Sequence, residues 1–320
     1  MKKDFLFKNL IKNLQDRIPQ RGKLVEVLTE LLDIEKEAVY RRLRGSVPFS
    51  FQEVHKIAIH FGLSLDSIAE NTSQVTRQMS SLAIEFLDPQ EKDFNKLDDF
   101  TMNMRQLKED QNSETGAIGS MIPSSFYVNY EHIYRFYLLK WSHQFWTSQR
   151  IKTFAETIIP ERLKQHNKEF VKNIQSSPKS VYVLDRQFIG YFVNDVKFFF
   201  DIRQITSEDV LLLKEDLHLL LNDLERYAAN GCFDTDNKVE IFLSNVHFEA
   251  NYYYVDSTNY KLTIIRSFAF NDFYSFNEVV FQDMKNWLNF LKRTSTLISE
   301  GNVAERIRFF EEQRKLVDSM

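Results

Sequence analysis

The sequence predicts a mainly helical protein of the α+β class, in which a small helical domain precedes a larger domain of helices and strands. Within residues 1–70, apolar residues recur at helical spacing in short segments separated by glycine, proline or capping residues. Between residues 239 and 270, β-branched and aromatic residues dominate, which is typical of strands. The 320 residues also exceed the usual size of one domain, so we expect two.

The first domain is predicted to be a bundle of five helices. These cover approximately residues 5–14, 23–32, 36–44, 50–61 and 65–69. Gly45 ends the third helix and Gly62 the fourth. Ser50 and Glu53 have the spacing of a capping box, in which the side chain of each residue bonds the backbone amide of the other. Ser64 can cap the fifth helix in a similar way.

The second domain is predicted to contain helices and a small, mostly antiparallel sheet. A polar stretch at residues 71–74 places the boundary so that the domains are 1–72 and 73–320. Strands are predicted at 81–86, at 115–122 and within 239–270, where a turn at 256–259 indicates a hairpin. Helices are predicted at 93–108, 126–146, 187–202, 207–230, 277–293 and 303–317.

Charge is unevenly divided between the two domains. Residues 1–70 contain 12 lysines and arginines and 10 acidic residues, a formal net charge of +2, and the other 250 residues carry −6. The whole-chain value of −4 therefore combines a mildly basic first domain with an acidic second one. This asymmetry favours a polyanionic partner for the first domain, although it does not by itself establish DNA binding.

Residues 25–44 have the pattern of a helix-turn-helix, with a three-residue turn at 33–35 that contains the apolar Ile34. Such a motif needs a second helix with one packed side and one polar side that fits the DNA major groove. On a helical wheel, one side of the helix at 36–44 is long, polar and mostly cationic. That side comprises Lys36, Glu37, Tyr40, Arg41 and Arg44. Arg42 falls on the packed side, so we expect it to reach a phosphate or an acidic neighbour, not a base.

The segment LVEVLTELLDIEKEAVYRRLRGSVPFSFQEVHKIAIHFGLSLDSI, residues 24–68, resembles the phage-repressor-like (XRE) helix-turn-helix family. It is similar in particular to the amino-terminal domains of bacterial transcriptional regulators from Bacteroidetes, whose uncharacterised carboxy-terminal domain the rest of the chain also resembles. The resemblance implies a lambda-repressor-like bundle that binds double-stranded DNA. It further implies that Lys36, Glu37, Tyr40 and Arg41 face base edges and that Arg44 lies near phosphate.

The sequence departs from the family pattern at four positions. Thr29 replaces the usual alanine of the first helix of the motif, and Asp33 replaces the glycine of the turn. Aspartate tolerates left-handed backbone better than most residues, so we expect the turn to form. Glu35 replaces the capping serine and is a poorer cap. Val25 stands where the family often has a glutamine that contacts phosphate, and Lys23 is the expected substitute.

These residue types allow specific contacts with bases. Arg41 can form a bidentate pair with guanine, and Lys36 or Tyr40 can contact a base or a phosphate. Glu37 can accept a hydrogen bond from cytosine, repel other bases or pair with Arg41. The charge of +2 predicts few phosphate contacts per chain, hence a homodimer that reads two half-sites. The alternative is a scaffold whose helix-turn-helix binds protein.

An enzyme is not expected, because the sequence contains no HExxH, GxSxG or glycine-rich phosphate motif. The seven histidines are dispersed, so neither a metal nor a cofactor is predicted. Cys232 is the single cysteine; it is either a redox sensor or, as we favour, a packed small hydrophobic residue. One cysteine and the absence of an apolar stretch of about 18 residues predict a cytoplasmic protein with no membrane partner.

Aromatic residues are dense at 126–146 and at 252–254. They either fill the core, which we favour, or line a pocket for an unidentified small-molecule or peptide effector, or anchor a dimer. Tyr127 and Phe136 lie on the less apolar side of the first stretch and are the pocket candidates. The second domain is therefore predicted to serve dimerisation or signal sensing.

Overall fold

The computed structural model describes residues 3–18, 20–61, 63, 83–85, 104–144, 153–268 and 271–320. The chain divides into two units, Met1–Ser81 and Leu82–Met320. The predicted fifth helix of the first domain and the boundary between residues 72 and 73 lie outside the described residues, and that boundary stays a prediction. As predicted, the architecture is α+β, with helices first and a larger mixed unit after them.

The described part of the first unit is helical. Its helices are α1 (Lys3–Arg17), α2 (Arg21–Leu32), α3 (Lys36–Leu43) and α4 (Phe51–Phe61). Apolar residues three and four positions apart lie on one face of each helix, and these faces meet in one core. The buried members are Leu10, Leu14, Leu24, Val25, Leu28, Leu32, Val39, Ile57, Ala58 and Leu63. The helix-turn-helix is therefore held by a core to which all four helices contribute.

The second unit is built on one sheet. Its strands are β1 (Ala83–Glu85), β2 (Glu114–Gly119), β3 (Lys179–Asp185), β4 (Lys238–Ser244), β5 (Asn251–Asp256), β6 (Lys261–Phe268), β7 (Asn271–Ser275) and β8 (Thr296–Leu297). Their order in the sheet is β1-β7-β6-β5-β2-β3-β4-β8. The pairs β2–β3 and β3–β4 are parallel, and the other five described pairs are antiparallel. The predicted hairpin is β5–β6, with Asp256 opposite Lys261.

Helices cover both faces of the sheet. They are α5 (Ser124–Tyr127), α6 (Glu131–Gln144), α7 (Glu161–Gln175), α8 (Phe188–Asp201), α9 (Ser207–Asn230), α10 (Glu278–Thr294) and α11 (Val303–Asp318). On β3, Tyr182 and Leu184 pack with α5–α9 and α11, while Val181 and Val183 pack against α10. Because side chains alternate along a strand, the central strand is apolar on both faces. The unit is thus a sheet between two helical layers.

The strand β3 and the helix α7 were not among the predicted elements. The run VYVL in β3 is buried on both faces, so it lacks the alternation that identifies a half-buried strand. The helix α7 is clearly amphipathic, but it is polar overall, and the polar His166, Asn167 and Asn173 share its buried face with only a few apolar residues. The sheet consequently has more strands, and a parallel centre, than the sequence pattern indicated.

The aromatic stretch at 126–146 forms two helices, α5 and α6, and not the single helix that its spacing predicted. Residues 145 and 146 lie outside the described ranges. Tyr127 is 1% exposed and stacks on Tyr137 at a centroid distance of 4.2 Å. Phe136 is fully buried and packs edge-on against Phe192 and Phe199. The two proposed pocket residues are therefore core residues, in agreement with the interpretation that we favoured for the stretch.

Candidate nucleic-acid interface

The turn between α2 and α3 forms with an aspartate in place of glycine. Asp33 has φ 54° and ψ 50°, which is left-handed backbone, and its amide donates to the Thr29 carbonyl. Aspartate is among the few residues other than glycine that visit this region readily. Thr29 in turn donates its hydroxyl to the Val25 carbonyl over 2.7 Å, so the hydroxyl is satisfied within α2. Both departures from the family pattern are accommodated locally.

The N-terminus of α3 is weakly capped, as predicted. Glu35 is extended, with φ −62° and ψ 150°, and its side chain makes no capping hydrogen bond. Its carbonyl nevertheless accepts from the amides of Ala38 and Val39, at 2.9 and 3.1 Å, and so begins the helix. Val39 is fully buried and anchors α3 in the core of the first unit. The orientation of α3 is therefore set by packing more than by its cap.

Gly45 ends α3 for two physical reasons. Its φ of +77° lies in the region that L side chains rarely adopt. A Cβ placed there would also lie 3.1 Å from the Cε1 atom of Phe7, which belongs to α1. The chain leaves the helix at the glycine, and the amide of Ser46 donates to the Arg41 carbonyl over 2.9 Å. The polar end of α3 is thereby fixed at the surface of the first unit.

The predicted polar side of α3 faces solvent in the first unit. Lys36, Glu37, Arg41 and Arg44 are exposed, and Tyr40 is half-buried against the core. The opposite side contributes Val39 to the interior, with Leu43 partly buried beside it. The assignment of base contacts to these residues stays a prediction, but the side chains are accessible and lie on one face.

Ion pairs on this face leave one arginine unpaired. Arg44 Nη2 lies 2.9 Å from Glu37 Oε1, an exposed pair across two turns of the helix. Lys36 Nζ lies 3.9 Å from Glu26 Oε1 on α2. The Arg41 side chain has neither a hydrogen bond nor an ion pair with any residue that the structure describes. Of the roles left open for Glu37, pairing therefore occurs with Arg44 and not with Arg41.

Arg42 binds an acidic neighbour, which is one of its two predicted roles. Its Nε and Nη2 atoms lie 3.1 and 2.8 Å from the two carboxylate oxygens of Glu53. Its Nη1 atom also donates to the Ala38 carbonyl over 3.3 Å. The side chain is only 19% exposed, so the guanidinium is committed to joining α3 to α4. This arrangement leaves little of the guanidinium to contact phosphate, which is its other predicted partner.

Glu53 both caps α4 and binds Arg42 of α3. It accepts from the Ser50 amide over 2.7 Å, and its own amide donates to Ser50 Oγ over 3.2 Å, which confirms the predicted capping box. Burial alone would raise the pKa of Glu53, but the hydrogen bonds from Arg42 and from the Ser50 amide outweigh this and lower the pKa. The link to Arg42 was not predicted, because the spacing of residues 50 and 53 reveals only the cap.

Near the start of α2, Lys23 is exposed while Val25 is 1% exposed and belongs to the core. Val25 therefore cannot supply the phosphate contact that the family pattern places there. Lys23 has no ion pair with a described residue and remains the predicted substitute.

Within the described ranges, no group of three or more His, Cys, Asp or Glu side chains is arranged to hold a metal ion. Cys232 is half-buried and not in a disulfide. None of the helices that the structure describes combines the length and the apolar character needed to cross a bilayer.

Comparison with known families places the candidate interface inside a recognised segment. Residues 3–88, about a quarter of the 320 residues, match the family model of the BetR domain. No curated protein and no solved structure matches the chain. The BetR domain is a known regulatory domain of the helix-turn-helix type. The segment that carries α1 to α4 is thus similar to a helix-turn-helix regulatory domain, which indicates, at a coarse level, a DNA-binding regulatory role.

Proposed function

We propose that the chain is a sequence-specific, DNA-binding transcriptional regulator of the XRE type that acts in the bacterial cytoplasm. In this proposal α3 enters the major groove, and the second unit serves dimerisation or signal sensing, not catalysis. The observation that carries the proposal is the exposed polar face of α3, where Arg41 lacks a partner among the described residues. A side chain with unsatisfied donors on a helix-turn-helix is suited to base recognition.

Each residue of the interface has a proposed part. Arg41 pairs in a bidentate manner with guanine, and Lys36 and Tyr40 contact a base or a phosphate. Glu37 must either accept from a cytosine amino group or remain with Arg44 as that arginine approaches phosphate. The phosphate contacts that we retain are Lys23 and Arg44, since Arg42 is occupied by Glu53. The double-stranded DNA is read by two copies of the chain.

A protein-binding scaffold is the competing function, and one observation favours it. On α4, Phe51 is 78% exposed and Ile59 is 69% exposed. They lie eight residues apart, so both side chains project from the same side of the helix. Exposed apolar residues at helical spacing are typical of protein contacts. On this alternative, the first unit would bind a partner protein and not DNA.

The two functions are separated by selection of genomic DNA fragments with the purified full-length protein, followed by band shifts over a salt series. We expect a preferred sequence whose affinity falls steeply as salt rises, because phosphate contacts release counterions. Absence of any shift at low salt would favour the scaffold. A shift without sequence preference would reduce the proposal to non-specific DNA binding.

Replacing Arg41 tests the proposed reading of bases. Arg41→Ala should weaken binding to the preferred site by about 1–3 kcal/mol, roughly 5- to 150-fold, and leave unrelated DNA almost unchanged. Arg293→Ala is the matched control, because it removes the same charge from an exposed position on α10 in the second unit. An equal loss on all DNA sequences would instead assign Arg41 to phosphate.

A further inference from the structure

A cavity of about 370 Å³ opens within the helical layer of the second unit, between α5, α7 and α9. Small-molecule sites in proteins commonly measure roughly 300–1,000 Å³, so this cavity is large enough for a compact ligand. All of its lining residues belong to the part of the chain that the structure describes.

The inner part of the cavity is apolar and buried. It is formed by Phe126, Val171, Leu220 and Leu224, which are between 1% and 6% exposed. Phe126 is fixed from behind by Tyr182, with ring centroids 4.3 Å apart. These side chains belong to the main core of the second unit, so they form a preformed wall against which an apolar group can pack.

The mouth of the cavity is acidic. Asp223 on α9 and Asp234 after it both line the opening, with side chains 40% and 59% exposed. Arg226 binds both carboxylates, donating to Asp223 Oδ1 over 2.7 Å and to both oxygens of Asp234, but it does not itself line the cavity. One guanidinium against two carboxylates leaves the opening with a negative charge. The hydrogen bonds from Arg226 lower the pKa of Asp234, which therefore stays ionised at neutral pH.

Two tyrosines at the opening direct their hydroxyl protons to these carboxylates. Tyr130 donates to Asp223, and Tyr227 donates to Asp234 Oδ2 over 3.3 Å. Burial raises the pKa of both phenols, so they remain protonated. Because their protons are already used, their remaining capacity toward a ligand is as acceptors. The opening thus combines carboxylates and phenol oxygens that can all accept hydrogen bonds.

The amide side chains of Asn129 and Gln175 also line the cavity. Neither side-chain amide makes a hydrogen bond with a residue that the structure describes, although the backbone carbonyl of Gln175 accepts from Thr235 and Asn237. Amides of this kind can bond whichever polar group a ligand presents. The two side-chain amides can therefore form hydrogen bonds with a polar group of a ligand in the cavity.

We propose that this cavity binds a small organic amine, either a primary amine or a guanidine, that carries an aromatic or branched aliphatic body. The cationic nitrogen lies at Asp223 and Asp234, and the apolar body packs against Phe126 and Leu224. An anionic ligand would be repelled by the two carboxylates, and a neutral ligand would forgo the charge-assisted hydrogen bonds. This gives the second unit a sensing role and does not rest on DNA binding.

Isothermal titration calorimetry on the full-length protein tests the proposal with three compounds of similar size. The probe is 2-phenylethylamine, and the comparisons are 2-phenylethanol and phenylacetate. We expect saturable binding of the amine, binding of the alcohol at least about tenfold weaker, and no binding of the acid. No saturation by the amine at millimolar concentration, or equal binding of phenylacetate, would overturn the proposal.

Variants locate the binding on this cavity. Asp223→Asn removes one charge but keeps an acceptor, and should weaken amine binding by about 10- to 100-fold. Glu215→Gln is the matched control, because it removes an exposed carboxylate two turns earlier on α9, outside the cavity, and should leave the affinity unchanged. Equal affinities for both variants and the unmodified chain would reject the site.

A further variant covers the case in which Asp223→Asn fails to fold, as judged by circular dichroism. Asn129→Lys alters an exposed side chain at the mouth and supplies a tethered ammonium that competes for the carboxylates. It should fold and lose most of the amine affinity. Unchanged binding by this variant would contradict the proposal independently of Asp223.

Discussion

Arg42 and Arg44 lie two positions apart on the motif, yet their side chains have different surroundings. At 100° per residue, two positions separate side chains by about 200°, so one arginine faces α4 and the other faces solvent. Arg42 is 19% exposed and joins both oxygens of Glu53, whereas Arg44 is 53% exposed and pairs with Glu37. The first pair connects two helices, and the second stays on the surface of one.

This difference predicts unequal costs of truncation. Arg42→Ala leaves the half-buried Glu53 carboxylate without its cation and should destabilise the first unit by about 1–3 kcal/mol. Arg44→Ala, which removes an exposed pair, should cost no more than about 0.5 kcal/mol. Hydrogen exchange of peptides from α3 and α4 in the full-length chain measures both, since exchange reports local opening.

A double variant isolates the interaction itself. Glu53→Gln combined with Arg42→Ala should be less destabilising than the sum of the single changes, because no uncompensated carboxylate remains. Equal protection in the Arg42→Ala and Arg44→Ala variants would show that the contact between α3 and α4 does not depend on this ion pair.

For single residues of α3, the sequence predicted which side chains face solvent better than it predicted which groups they bind. The helical wheel correctly placed Lys36, Glu37 and Arg41 on an exposed face, because it depends only on the geometry of α3. It could not choose between phosphate and a carboxylate for Arg42, since the partner Glu53 lies 11 residues away on another helix. Such a choice depends on how α4 packs, which is a tertiary property.

Helix α10 is held against the sheet by charged as well as apolar contacts. Its apolar face buries Phe281, Met284, Leu288 and Leu291. Beside this face, Lys285 bonds Glu114 at the start of β2, and Lys292 Nζ lies 2.7 Å from Glu240 Oε2 on β4. Burial alone would raise the pKa of Glu114, but Lys285, Tyr254 and Lys179 lower it to about 2.

The lowered pKa predicts how the attachment of α10 responds to acid. A carboxyl whose pKa falls from 4.5 to about 2 on folding contributes stability that is present above pH 4.5 and lost as the pH falls toward 2. For Glu114 this contribution is about 3 kcal/mol, since each unit of pKa corresponds to 1.36 kcal/mol. Glu114→Gln should therefore have a lower urea midpoint than the unmodified chain at pH 7. At pH 3 the difference between the two midpoints should be smaller.

Trp287 on α10 provides the signal for this measurement, because its ring packs against Tyr252 and Phe248. The control is Asp283→Asn, which removes an exposed carboxylate from the same helix. A difference between Glu114→Gln and the unmodified chain that stays constant from pH 7 to pH 3 would contradict the assigned titration.

Most of the predicted elements carry a local signal, either helical spacing or a run of β-branched and aromatic residues next to a turn. This holds even for β2 and β4, which are buried on both faces. The hairpin β5–β6 was predicted from two β-rich runs on either side of a turn, and the helices α8, α9 and α11 were predicted from helical spacing. The strand β3 lies at the parallel centre with both faces covered, so its sequence carries no periodic signal. The parallel pairing of β2, β3 and β4 could not be predicted from the sequence pattern either, because it depends on how the connecting helices pack.

At the scale of the molecule, charge and the two proposed sites are divided between the two units. The candidate interface lies in the mildly basic first 70 residues, which carry +2, and the proposed amine site lies in the acidic remainder, which carries −6. With Arg42 occupied, few cations remain for phosphate contact in each copy. One copy alone should therefore bind DNA weakly, and affinity should depend on two copies bound to adjacent half-sites.

This dependence can be measured on DNA that carries one or two copies of the selected half-site. If each chain neutralises about three phosphates, the slope of log K against log salt should be about −5 for the paired site and about half that for a single half-site. Inserting five base pairs between the half-sites turns them to opposite sides of the duplex and should reduce affinity to that of the single site, whereas substituting five base pairs without changing the spacing should not. Sedimentation of the complexes gives the number of bound chains. Equal affinity and equal salt slope for single and paired sites would mean that one chain suffices, and the second unit would then have to act by sensing and not by dimerisation.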